Sequence, residues 1–145
     1  MRFGRICGVL PALLISGIAI SSIVRGQTDA ALTMKQLMLE RIHPASNALL
    51  LVAYRGAPEK ASDWSAIENS ATQLQTAAAA LLEKNKQTEW SKAASLLATA
   101  AVDAGKAAQQ KDATAFGAIA VRIDASCTNC HTHYRPNVFP GERAN

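Results

Sequence analysis

The strongest constraint on this chain is an apolar pattern that steps by three and four residues through most of its length. Trp64, Ile67, Ala71, Leu74, Ala78 and Leu81 form one stripe, and Trp90, Ala93, Leu97, Ala101, Ala104 and Ala108 form a second. A third runs through Phe116, Ile119, Ile123, Cys127, Cys130 and Tyr134. Residues at these spacings share one face of an α-helix. Earlier in the chain Ala31, Met38, Ala45 and Val52 recur every seven residues, with Ile42 and Leu49 beside them, which predicts a fourth seam facing a bundle interior. Alanine is abundant and only five prolines and eight glycines interrupt 145 residues, so helix is favoured over strand nearly throughout.

Punctuation separates the four segments. The first helix is expected from Thr28 or Asp29 as cap to about Tyr54, with a bend near Glu40 to His43 because Pro44 removes a backbone donor inside it. Gly56 and Pro58 close it. The second is expected from a Ser62 or Asp63 cap to about Glu83, and the third from a Thr88 cap to about Gln110. The fourth is expected from about Asp112 until Pro136 stops it, with an irregular tail over Asn137 to Asn145. Trp64 and Trp90 read as packing residues near helix starts. The expected fold is all-α: one antiparallel up-down-up-down four-helix bundle over residues 27–145.

Residues 1–26 read as an export signal. Arg2 and Arg5 form a short basic start, an apolar run extends from Ile6 to about Val24, and Val24-Arg25-Gly26 offers a cleavage site. The rival is an uncleaved membrane anchor, against which Pro11, Gly17 and several serines weigh. Cys7 precedes the apolar run and is a poor acylation site. Export implies a periplasmic location and no membrane association of the mature form unless that segment is retained. The formal charge of +4 includes three arginines from this segment, and without them 12 basic residues face 11 acidic ones. That balance gives no support for nucleic-acid binding and predicts little long-range steering of a partner.

The chemistry is concentrated in Cys127-Thr128-Asn129-Cys130-His131, followed by Tyr134 and Arg135. On a helix Cys127 is three residues from Cys130 and four from His131, so all three project from one side. This is the pattern of covalent c-type haem attachment, in which each sulfur forms a thioether with the haem and the following histidine supplies the proximal iron ligand. A zinc site would need a second ligand pair, and beyond His131 and His133 the only histidine is His43. A thioredoxin-like redox pair would need a βαβ surround, and a plain disulfide would leave His131 without a role. Haem accounts for the whole five-residue pattern. It agrees with export, since the mature chain then holds two cysteines, both used by one covalently bound haem c.

With these elements in place the chain resembles the class II cytochromes c: the cytochrome c′ family and its methionine-ligated low-spin relatives. The likeness covers the whole of residues 27–145, with Cys127, Cys130, His131, Tyr134 and Arg135 matching the family's C-x-x-C-H-x-x-Y-R ending on the last helix. The resemblance implies a haem in the bundle interior and a sixth iron position facing the first helix. A methionine there implies an electron carrier, and an apolar non-ligand implies a five-coordinate protein that binds nitric oxide or carbon monoxide. Met34 and Met38 lie one turn apart in Thr33-Met34-Lys35-Gln36-Leu37-Met38. Met38 falls on the seam and is the expected distal ligand, Met34 is its alternative, and the third reading leaves both as packing residues.

Many family members carry an arginine one turn before the distal residue, toward a haem propionate. Met34 occupies that place here, so Lys35 or Arg135 is left to make the charge-assisted contact. His43 and His133 read as solvated or capping residues rather than iron ligands. The resemblance further implies redox partner proteins meeting an exposed haem edge, and it allows a homodimer through the alanine-rich outer faces of the first two helices. No constellation of acid, base and nucleophile points to an enzyme.

Overall fold

The computed structural model describes residues 28–56 and 58–135; the expected signal segment over 1–26 and the tail after Arg135 lie outside them. Among the described residues all regular structure is helical. A 3-10 turn at Asp29–Ala31 leads into α1 (Met34–Gln36), a π-helical segment (Leu37–Ile42) and α2 (His43–Arg55). The boundary residues Leu37, Ile42 and His43 keep right-handed helical angles, so α1, the π-segment and α2 form one continuous first helix. It is followed by α3 (Ala61–Lys84), α4 (Thr88–Gln110) and α5 (Ala115–Tyr134).

Four helices pack together around one core. α3 and α5 both lie against α4, and α2 lies against α3 and α5, which closes a ring of four. Cross-bonds fix neighbouring directions. Gln109 donates to Glu68 at one end of the α3–α4 pair, and Trp90 Nε1 donates to the Leu81 carbonyl at the other. Arg122 pairs with Asp103, Ser126 with Ala93 and Tyr134 with Gln87, so α5 descends as α4 ascends. Phe116, Leu37, Leu49, Leu74 and Ile123 are the largest fully buried side chains. The α4 stripe is buried as its spacing predicts, from Trp90 to Ala108, with Ala94, Ala100 and Ala107 widening it. Small residues let α4 sit closely between two neighbours: a Cβ placed on Gly105 would stand 3.8 Å from that of Ala71 on α3.

The ends differ from expectation in instructive ways. The first helix starts later than Asp29: Thr33 caps Met34 through a reciprocal capping box with Gln36. Ser62 and Asp63 lie inside α3, whose cap position is Lys60, and Thr88 is the first residue of α4 after Gln87. α5 begins at Ala115, but Asp112 still serves its start by accepting from the Ala115 amide at 3.2 Å. α4 stops where Lys111 turns into the left-handed region, with its amide and that of Asp112 returning to the carbonyls of Ala108 and Ala107. No helix among the described residues is long and apolar enough to cross a membrane.

The seam of the first helix holds from Ile42 onward, and Ile42 itself is buried. Ala45, Leu49 and Val52 are buried, but Ala31 is exposed and Met38 only half-buried, while Leu37 is completely enclosed. The π-segment is the cause. His43 N–H bonds to the Met38 carbonyl, five residues back, so one residue more than an α-turn holds is accommodated before Pro44. Everything N-terminal to it is turned by about one residue, or about 100°. Pro44 cannot donate to the Glu40 carbonyl, which accepts from Arg41 Nη1 at 3.4 Å.

Candidate functional site

One end of the bundle gathers the residues that the sequence singled out. α5 delivers Cys127, Cys130 and His131 on its last two turns, and Tyr134 fastens that end to the α3–α4 corner. The Tyr134 hydroxyl donates to Gln87 Oε1 at 3.0 Å, and its ring meets Trp90 edge-on with centroids 5.0 Å apart. The start of the first helix reaches the same corner from the other side, because Lys84 Nζ donates to the carbonyls of Ala30 and Leu32 at 2.8 and 2.6 Å. Met34 and Met38 therefore belong to the end that holds the Cys-His run.

The roll of α5 is set by its bonds to α4. Arg122 bonds Asp103 Oδ2 at 2.7 Å, and the buried Ser126 hydroxyl bonds the Ala93 carbonyl at 2.7 Å. His131 is nine residues beyond Arg122, two and a half turns, which places it on the side of α5 turned away from α4. The neighbour of α5 on that side is the first helix. That helix leans on α5 through α2, and on α3 through both α2 and the π-segment.

Both cysteines are free thiols, Cys130 buried and Cys127 half-buried against the core. Burial raises both thiols above the ordinary cysteine range, and the nearby Asp124 charge pushes Cys127 in the same direction. His131 is half-buried, and desolvation together with the Arg135 cation lowers its pKa, which favours the neutral imidazole. A neutral ring nitrogen is the form that binds iron. Two free thiols are the groups that form thioethers to a haem, and an imidazole nitrogen and a methionine sulfur are borderline and soft donors to its iron. The residues present thus fit that group.

Other expected residues are placed less tightly. Met34 and Met38 are half-buried and packed against the core, whereas Lys35, Arg135, His43 and His133 are exposed. An open groove of about 810 Å³ lies between α4 and α5, lined by Glu89, Lys92, Ala93, Leu96, Thr128, Asn129, Thr132, His133 and Tyr134. Neither cysteine nor His131 lines it. Within it Lys92 bonds Glu89 at 2.9 Å and holds that carboxyl below its ordinary range. No periodic signal marks this groove in the sequence: apart from Ala93 and Tyr134, which belong to the apolar stripes, its lining residues follow no apolar period. Among the described residues no three His, Cys, Asp or Glu side chains converge as a bare-ion site.

The fold and this site define a helical bundle that carries two thiols and an imidazole on its last helix, at the same end as the two methionines of the first helix. Compared with models of protein families, with curated proteins and with solved structures, the chain matches none.

Proposed function

We propose that the chain is an exported c-type cytochrome of the cytochrome c′ kind, carrying single electrons between redox proteins. The observation that supports this reading is that Cys127, Cys130 and His131 on α5 and the methionine-bearing start of the first helix lie at the same end of the bundle. Cys127 and Cys130 would hold the haem through thioethers, His131 would supply the proximal nitrogen and Met38 the distal sulfur. When bound, the haem supplies an iron that exchanges one electron between its ferric and ferrous states.

The chain's own residues do the rest. The α4–Ser126 and α4–Arg122 bonds hold the roll of α5, so His131 keeps one direction whatever the redox state. Leu37, Ile42 and Trp90 are buried at this end and keep water from it, which favours the less charged state of a buried centre. Arg135 and Lys35 stand exposed, free to meet carboxylates at the rim with charge-assisted bonds. A nearly neutral mature chain suits brief contacts with several redox partners better than one tight complex.

The test is the visible spectrum of the exported protein in both redox states, with and without carbon monoxide, for the native chain and Met38→Ala. Covalent haem, a low-spin spectrum with a methionine-to-ferric-iron charge-transfer band, and indifference to carbon monoxide support the carrier. Loss of that band in Met38→Ala assigns the ligand. A high-spin spectrum that shifts with carbon monoxide and ignores the substitution replaces the carrier with a gas-binding protein, and absence of covalent haem refutes both.

A further inference from the structure

We infer that Pro44 is a positioning residue for the distal side: it holds the π-segment, and the π-segment turns Met38 from the bundle axis toward α5. This rests on the haem reading above.

The direction of the turn follows from the bundle itself. In α4 three consecutive residues sweep from one neighbour to the other: Asp103 pairs with Arg122 on α5, Ala104 is fully buried, and Gly105 faces Ala71 on α3. The first helix runs in the same direction as α4 at the opposite corner of the ring, so a half-turn about the bundle axis exchanges their neighbours. The same forward rotation in the first helix leads from α3, across the core, to α5. Leu37 is the fully buried residue at this level. The next residue, Met38, is therefore turned toward α5, whose first-helix side carries His131.

In an unbroken α-register Met38 would lie on the seam with Ala45 and Val52, and Leu37 would be turned toward α3. The extra residue of the π-segment exchanges those roles. Its hydrogen bonding depends on Pro44, which cannot donate to the Glu40 carbonyl, while His43 donates to Met38. The Arg41–Asp29 ion pair at 3.0 Å ties the same segment to the preceding turn.

Replacing Pro44 by Ala restores the missing donor and lets the α-register close. Residue 39 then takes the angular place that Met38 holds in the native chain. In the haem-loaded protein Pro44→Ala is expected to lose the methionine-to-iron band and to bind carbon monoxide. Adding Leu39→Met and Met38→Ala to Pro44→Ala is expected to restore the band and exclude carbon monoxide. Leu39→Met with Met38→Ala in the Pro44 background is expected to fail. Amide hydrogen exchange on the ferrous proteins supplies the structural readout: the new amide at position 44 is protected if it bonds Glu40.

A Pro44→Ala protein that keeps the band, that leaves the new amide unprotected, or that is not rescued by the double change overturns the inference while the electron-carrier reading stands. A native chain with covalent haem but no methionine band instead refutes Met38 ligation, and this inference with it.

Discussion

The Ser126 hydroxyl donates to the Ala93 carbonyl at 2.7 Å, buried, one residue before Cys127. This bond ties the rotation of α5 to α4 just where the thiols begin. Ser126→Ala removes it without opening a large cavity, and the Ala93 carbonyl keeps its intrahelical partner. The expected cost is about 1 kcal/mol, read as a lower urea midpoint with an unchanged slope; a variant as stable as the native chain would show that packing alone sets the roll.

Trp90 closes the opposite element of the same corner. Its Nε1 donates at 2.8 Å to the carbonyl of Leu81, one of the last four of α3, which find no partner within the helix. Trp90→Phe preserves most of the ring but leaves that carbonyl unpaired, at a cost of about 1–3 kcal/mol. Thermal unfolding checks it, and the matching substitution Trp64→Phe is the control for ring size alone.

Gly105 sits in the interior of α4 with room for one methyl, at ordinary contact distance from Ala71. Gly105→Ala is expected to stabilise the bundle by about 0.5–1 kcal/mol, by lowering the freedom of the unfolded chain. A loss of stability instead would mean that the α3–α4 contact tolerates no addition.

The thiols give a pH prediction. Burial raises Cys127 and Cys130 above the ordinary value of 9.0 in the folded chain without haem. The unfolded chain therefore ionises first, binds fewer protons as pH rises past that value, and is favoured. Stability is thus complete below about pH 8 and falls as the pH climbs through the ordinary thiol range. Urea midpoints of the haem-free chain at pH 7.5 and 10 measure it, and Cys127→Ser with Cys130→Ser should remove the alkaline fall.

Most of this architecture is legible in the sequence because α3, α4 and α5 obey one helical period from end to end. Trp64, Ala71 and Leu74, and every member of the α4 stripe, are buried as their spacing predicts. The Cys-His run was legible for the same reason, as three donors at helical spacing on the last element. Met38 was the exception. Pro44 announces a lost hydrogen bond but does not say whether the helix kinks, admits water or takes in a residue, and only the third changes which side chain faces inward. Leu37, an equally apolar neighbour, was at hand to take the seam, so the pattern of the sequence was consistent with either register.

The Lys84 bonds to the carbonyls of Ala30 and Leu32 have a practical corollary. They bring Thr28 to the end of the bundle where Arg135 also lies, so the described residues begin and finish at the end that carries the thiols and the two methionines. A fluorophore or linker attached at Thr28 or Arg135 would crowd that end, where the proposed haem protein would meet its redox partners. Gly56, which closes the first helix at the far end, is the place from which the chain can be tethered with the thiol-bearing end left uncovered.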